Sequence, residues 1–248
     1  MDRDRLRDAA EAGLTGADLS AADFDDLTID DATFTTCDFT AVTFAGTRLE
    51  SAHFTNCRFT ACCFTHTILD SARFESCRFT TTPETAPRFA FADLSRATLI
   101  RCDLSFATFE RAALFDITFT ECNLRGAKFL NVDFSRPLAR RSITTRATFQ
   151  ACNLELADLA CIELPGCTLT GSRLREADLR AAILTGTNLH DTDLAFATLD
   201  NARLDRADLR GADLSGLDPR RPATMAGAIV SPDQLADIAS GLGLEVKG

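Results

Sequence analysis

The chain has 248 residues, a formal net charge of −10, ten cysteines, seven prolines and neither tryptophan nor tyrosine. Such acidity argues against a protein that itself binds nucleic acid. No apolar run approaches the roughly 18 residues of a membrane span, no signal peptide precedes the patterned region, and free thiols without an export signal point to the cytoplasm. No CxxC pair occurs, and His53, His66 and His190 are scattered, so neither a metal site nor a cofactor is expected.

Residues 1–13 read as an N-terminal cap, a short helix with Asp2 able to cap it, Leu6, Ala9 and Ala10 on one face, and Gly13 ending it. From Leu14 every fifth residue is a large apolar plug: Leu14, Leu19, Phe24, Ile29, Phe34, and onward without a slip to Leu214. Of these 41 positions 38 are Leu, Phe or Ile, and the exceptions are Glu84, Ala139 and Thr144. Two residues before each plug the chain is mostly Ala or Cys. Cys37, Cys57, Cys62, Cys77, Cys102, Cys122, Cys152 and Cys167 all sit there, which makes them buried small hydrophobes rather than ligands. A period of five fits neither a helix, at 3.6, nor a strand, at 2. It suits a chain that turns a corner every five residues, with four corners to a coil of twenty. Coils stacked at strand spacing rise about 4.8 Å each, giving an all-β rod about 50 Å long over 14–217.

Two stretches break the pattern. Residues 80–88 lose the plug at Glu84 between Pro83 and Pro87, and proline cannot donate to a ladder. Residues 135–146 lose two plugs and hold Arg136, Arg140, Arg141 and Arg146. Both read as loops. Residues 81–150 carry net +3, against −8 for residues 1–40. If no pentad bulges out, positions 84 and 144 lie three coils apart on one wall, about 14 Å along the axis. From Leu154 to Leu214 every plug is Leu. Asp158, Asp178 and Asp218 then fall on one wall and Asp193 and Asp213 on another.

Residues 218–248 read as a C-terminal segment. Ser231-Pro-Asp-Gln234 is a capping box, and Leu235, Ile238, Ala239 and Leu242 line one side of a helix that Gly241 stops. Leu244 to Val246 reads as a last short strand. The apolar stripe either closes the last coil or also meets a second copy.

The repeat resembles the pentapeptide-repeat family, which implies a right-handed quadrilateral β-helix. Phe79 to Phe109, Ile143-Thr-Thr-Arg146 followed by Phe149, and the tail Gly241 to Gly248 are similar to the loops and tail of the Qnr proteins, which with the loop-free MfpA type make up the fluoroquinolone-resistance group. That resemblance implies a non-enzymatic, DNA-mimicking protein that binds DNA gyrase or topoisomerase IV and protects it from fluoroquinolones. It implies topoisomerase contacts through Pro83, Glu84, Arg88, Arg136, Arg140, Arg141 and Arg146. It implies an acidic surface at Asp158, Asp178, Asp193, Asp213 and Asp218, and a homodimer through Leu235, Ile238 and Leu242. The alternatives are a structural scaffold, or protection against another topoisomerase poison. Averaged, net −10 over about 50 Å is far sparser than the one charge per about 1.7 Å of duplex DNA, so mimicry needs local ladders.

Overall fold

The computed structural model describes residues 3–20, 22–79, 82, 84–139 and 142–245, with the side chains of 137–139, 142, 143 and 237 outside the description. Each pentad forms one side of a square. On the first wall Leu14 pairs with Phe34, then Phe54, Phe74, Leu99, Phe119 and Phe149 in a parallel seven-stranded sheet. Single bridges carry this wall on through Thr168, Asn188 and Asp208. The second wall holds Leu19, Phe39, Phe59 and Phe79, the third Phe24, Phe44, Phe64 and Phe89, and the fourth Ile29, Leu49, Leu69 and Leu94. The outcome is the quadrilateral β-helix that the resemblance implies.

The hydrogen bonds explain the pentad. The plug N–H and the N–H before it bond to neighbouring coils, as Leu19 N does to Asp38 O and Asp38 N to Ala17 O. The second residue after the plug takes a left-handed conformation, as at Asp26 (φ 56°) and Asp31 (φ 58°). That conformation is the third position of a type II turn. Where the turn closes, the next N–H donates to the plug carbonyl, as Leu27 does to Phe24. One N–H is left over, that of the residue after the plug. An Asp or Asn just before the plug accepts it: Asp18 from Ser20, Asp103 from Ser105, Asn153 from Glu155 and Asp213 from Ser215. The Asp-rich step is therefore a structural part of the repeat.

Plug and corner type go together in most coils, although Phe24 and Phe44 close their turns and Leu99 lies in a strand. Every plug from Leu154 to Leu214 is followed by a closed turn. Most Phe plugs instead lie in short strands with open corners, as at Phe34, Phe39, Phe54 and Phe59. Their rings stack up the walls, with Phe24–Phe44 at 4.9 Å, Phe44–Phe64 at 4.8 Å, Phe64–Phe89 at 4.8 Å and Phe89–Phe109 at 5.0 Å between centroids. The eight inward cysteines are buried, while Cys63 is half-buried and Cys161 exposed. Six of them climb one corner. Their Sγ atoms donate to the plug carbonyls of the preceding coil, Cys57 to Phe34 at 3.3 Å and Cys122 to Leu99 at 3.2 Å. Ser172 continues the column, donating to Phe149 O at 3.0 Å.

Three sequence expectations change. Strand partners are twenty residues apart until Cys63 pairs with Arg88 and Ile68 with Asp93, a step of twenty-five. Ile117 then pairs with Ala147 and Asn123 with Asn153, a step of thirty. One pentad is thus extruded at the first break and two at the second, so the breaks do not share a wall. The first leaves the corner between the second and third walls, and the second leaves the corner between the fourth and first. These corners are diagonally opposite, and they lie about two and a half coils, roughly 12 Å, apart along the axis. Next, stacking continues past residue 217 with a one-residue shift, because Arg203 pairs with Thr224 and Asp208 with Ile229. Finally, Leu244 and Glu245 form no strand, and Val246 lies outside the described residues.

Both ends are closed by helices. Helix α1, Arg3–Ala12, buries Leu6 and Ala10. Helix α2, Gln234–Gly241, is preceded by half of the expected capping box: Ser231 N donates to Gln234 Oε1 at 2.6 Å, but the Ser231 hydroxyl accepts from Gly211 N at 3.0 Å instead of capping, and the helix starts at Gln234, not at Pro232. Gln234 Nε2 donates to the carbonyls of Leu209 and Ala212, so this residue plugs the open coil. The left-handed residue that ends α2 is Gly243 (φ 80°) rather than Gly241.

Candidate interaction surfaces

The first extruded pentad leaves after Phe79 and returns to Pro87, which is buried in the small inward place before Phe89. Thr85 N donates to Thr82 O, making one turn at its tip, and Glu84 is exposed there. Arg88 is not a loop residue. It lies in the strand Arg88–Ala90 and reaches Glu110 at 3.6 Å. Pro83 lies outside the described residues.

The second break is an antiparallel hairpin of strands Ser135–Ala139 and Ser142–Thr145. Ser135 pairs with Thr145 and Arg136 with Thr144, and the register shifts between Pro137 and Ala139. Its base is anchored on the coil beneath it. The Arg136 guanidinium lies 5.9 Å from the Phe115 ring centroid, and Arg146 pairs with Asp116 at 3.2 Å. Arg140 and Arg141 lie outside the described residues.

Four of the five acids separate by wall as expected, since Asp158 bridges to Asp178 and Asp193 to Asp213. Their charges are not equally available. Asp178 is held by Arg180 at 2.5 Å and Asp218 by Arg220 at 2.8 Å, and these hydrogen bonds hold both carboxyls below the usual carboxylate range. Asp158, Asp193 and Asp213 form no ion pair among the described residues. Each accepts a backbone N–H, from Ala160, Ala195 and Ser215. Asp213 is also held low, first by its hydrogen bond with Ser215.

Of the expected dimer residues, Leu235 and Leu242 are exposed, at 54% and 47%, and Leu244 lies beside them at 60%. Ile238 instead packs on the core, in the crevice lined by Leu214, Leu217 and Pro219. It closes the last coil. Among the described residues no cluster of three or more His, Cys, Asp or Glu could hold a metal, and no helix is long and apolar enough to cross a membrane.

Sequence reasoning missed a third feature. Phe106, Leu156 and Phe196 occupy the left-handed corner place, on the same edge from which the first break leaves. The signal was there, since on this edge the place is otherwise small, polar or charged among the described residues, while Phe91 holds the same place on the next edge.

The model of pentapeptide repeats matches residues 8–40, 37–75, 88–114, 147–186, 162–195 and 187–218. The chain is a pentapeptide-repeat protein. The matched stretches leave out both breaks. No curated protein sequence matches this pentapeptide-repeat chain. Among solved structures it is similar to QnrB1, a plasmid-mediated fluoroquinolone resistance protein. A trypsin-treated QnrB1 variant overlays with a TM-score of 0.70 at 22% identity, covering 95% of this chain and 99% of the other. Full-length QnrB1 overlays at 0.68 and 23% identity, covering 94% and 100%. HetL, a pentapeptide-repeat protein involved in heterocyst differentiation regulation from the cyanobacterium Nostoc, overlays at only 0.39.

Proposed function

We propose that this pentapeptide-repeat rod binds DNA gyrase or topoisomerase IV and protects the enzyme from fluoroquinolones. The observation that carries the reading is the end-to-end overlay on QnrB1, whose length the chain matches almost completely. The two extruded breaks agree with it. A plain rod offers the same polar surface at every coil, and specificity needs irregular places. The hairpin supplies arginines on an otherwise acidic chain, suited to partner carboxylates that set orientation and on-rate.

The acidic contribution is narrower than the sequence implies. Because the Asp step is a backbone acceptor, acidity alone does not signify DNA likeness. Asp158, Asp193 and Asp213 are the acids of the set that form no ion pair among the described residues, so any imitation of phosphates rests on them. A homodimer through Leu235, Leu242 and Leu244 would extend this surface, with Ile238 serving the cap.

The test is gyrase supercoiling with ciprofloxacin, with and without the protein. Rescue is expected in a concentration-dependent manner, weakening with salt. Removing residues 81–85, or 136–145, restores a five-residue step between plugs and leaves the fold intact, and each deletion should reduce rescue. Absence of rescue with gyrases from several bacteria would leave a scaffold as the reading.

A further inference from the structure

We propose that the rod works from two diagonally opposite edges at once, and that its partner is a protein that receives it in a cleft with one apolar lip and one acidic lip. This inference rests on the function proposed above and specifies the partner's contact surface.

The register fixes the geometry. One extruded pentad puts the first break on the edge between the second and third walls, and two put the hairpin on the edge between the fourth and first. Each wall is about three extended residues wide, near 10 Å, so the diagonal is about 14 Å of backbone before side chains are added. A flat partner surface that meets one of these edges cannot meet the other.

The two edges differ in chemistry. Beside the first break run Phe106, Leu156 and Phe196, two coils or about 10 Å apart from one to the next. Phe106 is half-buried, while Leu156 and Phe196 are 46% and 54% exposed. The two rings lie across glycines of the following coil. A Cβ on Gly126 would come within 2.8 Å of the Phe106 ring, and one on Gly216 within 2.6 Å of Phe196. The Arg175 guanidinium sits 4.9 Å from the Phe196 ring centroid. Glu176, paired with Arg175 at 3.8 Å, holds the corner place between Leu156 and Phe196, and the three apolar knobs on either side of it are what an apolar surface would cover. The opposite edge carries the arginine-bearing hairpin, anchored by Arg136 on Phe115 and Arg146 on Asp116. It suits carboxylates. One edge thus meets an apolar lip while the other meets an acidic lip.

Asn residues already occupy the left-handed corner at Asn56, Asn131 and Asn201. The triple variant Phe106→Asn, Leu156→Asn, Phe196→Asn therefore removes the knobs without disturbing the turn. Binding of purified gyrase to the wild-type rod, the triple variant, the 136–145 deletion and their combination is measured by surface plasmon resonance at two salt concentrations. Circular dichroism confirms that each folds. The triple variant should lose about ten-fold or more in affinity with its salt dependence unchanged. The deletion should lose a comparable factor and flatten the salt dependence. The combined loss should be the product of the two within about two-fold, as for sites that share no contact. Full affinity in either single-edge variant, or a combined loss no larger than one alone, overturns the two-edge proposal while leaving gyrase binding in place. Failure of the wild-type rod to bind overturns both.

Discussion

The halves of the rod use one pentad and turn it differently. Up to Phe149 most plugs are Phe, short strands run through them, and many corners are open. From Leu154 the plugs are Leu, every corner is closed by a turn, and only single bridges link the coils. At an open corner the plug carbonyl is left for a donor in the next coil, as Phe34 O is for Cys57. The difference shows where a coil accepts extra chain. Both breaks leave after Phe plugs without a closing turn, Phe79 and Phe134. They re-enter at Phe89 and Phe149, which stack on Phe64 at 4.8 Å and Phe119 at 5.1 Å. Extra residues there break no turn hydrogen bond, and a ring stack anchors the return. The Leu half closes each of its corners and holds no extruded pentad.

The strongest way to break this comparison is to remove one plug from each half. Phe109 is fully buried between Phe89 and Phe129, and Leu179 is fully buried in the Leu half. Phe109→Ala should cost about 4 kcal/mol and Leu179→Ala about 3 kcal/mol in urea unfolding. A larger loss at Leu179 would show that the ring stacks add nothing to the Phe half.

Alkaline pH should separate the halves next. Burial pushes the Cys62 and Cys167 thiols up to about 11. Hydrogen bonding from Cys122, with burial, pushes Cys102 upward as well. A raised thiol stabilises the fold below the unfolded value near 8.5, and that contribution is lost as pH climbs from there toward the folded value. At pH 10 the loss is about 2 kcal/mol per thiol. Of these raised thiols, Cys62 and Cys102 belong to the Phe half and Cys167 to the Leu half. Mass-spectrometric mapping of thiol labelling at neutral pH should find Cys161 first and Cys63 more slowly. As pH rises, Cys62 and Cys102 should become reactive before Cys167. Simultaneous labelling of these three would mean that the halves open together.

A smaller effect separates structure from charge on the acidic walls. Asp193 accepts the Ala195 N–H at 3.0 Å and has no ion pair among the described residues. Asp193→Ala should lower stability by about 1 kcal/mol, whereas Asp193→Asn keeps the acceptor and should be close to neutral in a thermal melt. Combined Asn substitutions at 158, 193 and 213 then test charge alone in gyrase binding, and unchanged affinity would remove DNA imitation from the account.

The smallest effect is acidic. Asp178, Asp208 and Asp218 are held low by hydrogen bonds from Arg180, Arg210 and Arg220. Their contribution is present above about pH 4 and is lost as pH falls through the lowered values. All three arginines are well exposed, so the drop in melting temperature between pH 4 and 2.5 should be slight and screened by salt.

The plug at every fifth residue made the coil and its buried thiols legible, because burial alone dictates that pattern. The placement of the breaks was not legible. A pentad pushed out of the coil keeps the same phase as one built into it, so Phe89 looks identical in both cases. The partner of Cys63 decides between them, and that is a contact rather than a pattern. The helix stripe concealed its division of labour in the same way. Leu235, Ile238 and Leu242 recur at helical spacing, yet Pro219 and Leu217 claim Ile238 for the cap. Nothing in the repeat announces the one-residue shift before Thr224.

Glu84 bears on a different property of the rod, its azimuth. Were residues 80–84 taken into the coil, every wall beyond them would rotate by a quarter turn, and Phe89 would leave the Phe64 column. That arrangement would set the Glu84 carboxylate in the plug place, where an unpaired charge is heavily penalised. A single carboxylate thus keeps the two ends of the molecule angularly aligned. Glu84→Leu would remove the penalty and offer the chain a second winding, in which the apolar edge and the hairpin edge stay opposite each other but both turn by a quarter relative to the coils before residue 80.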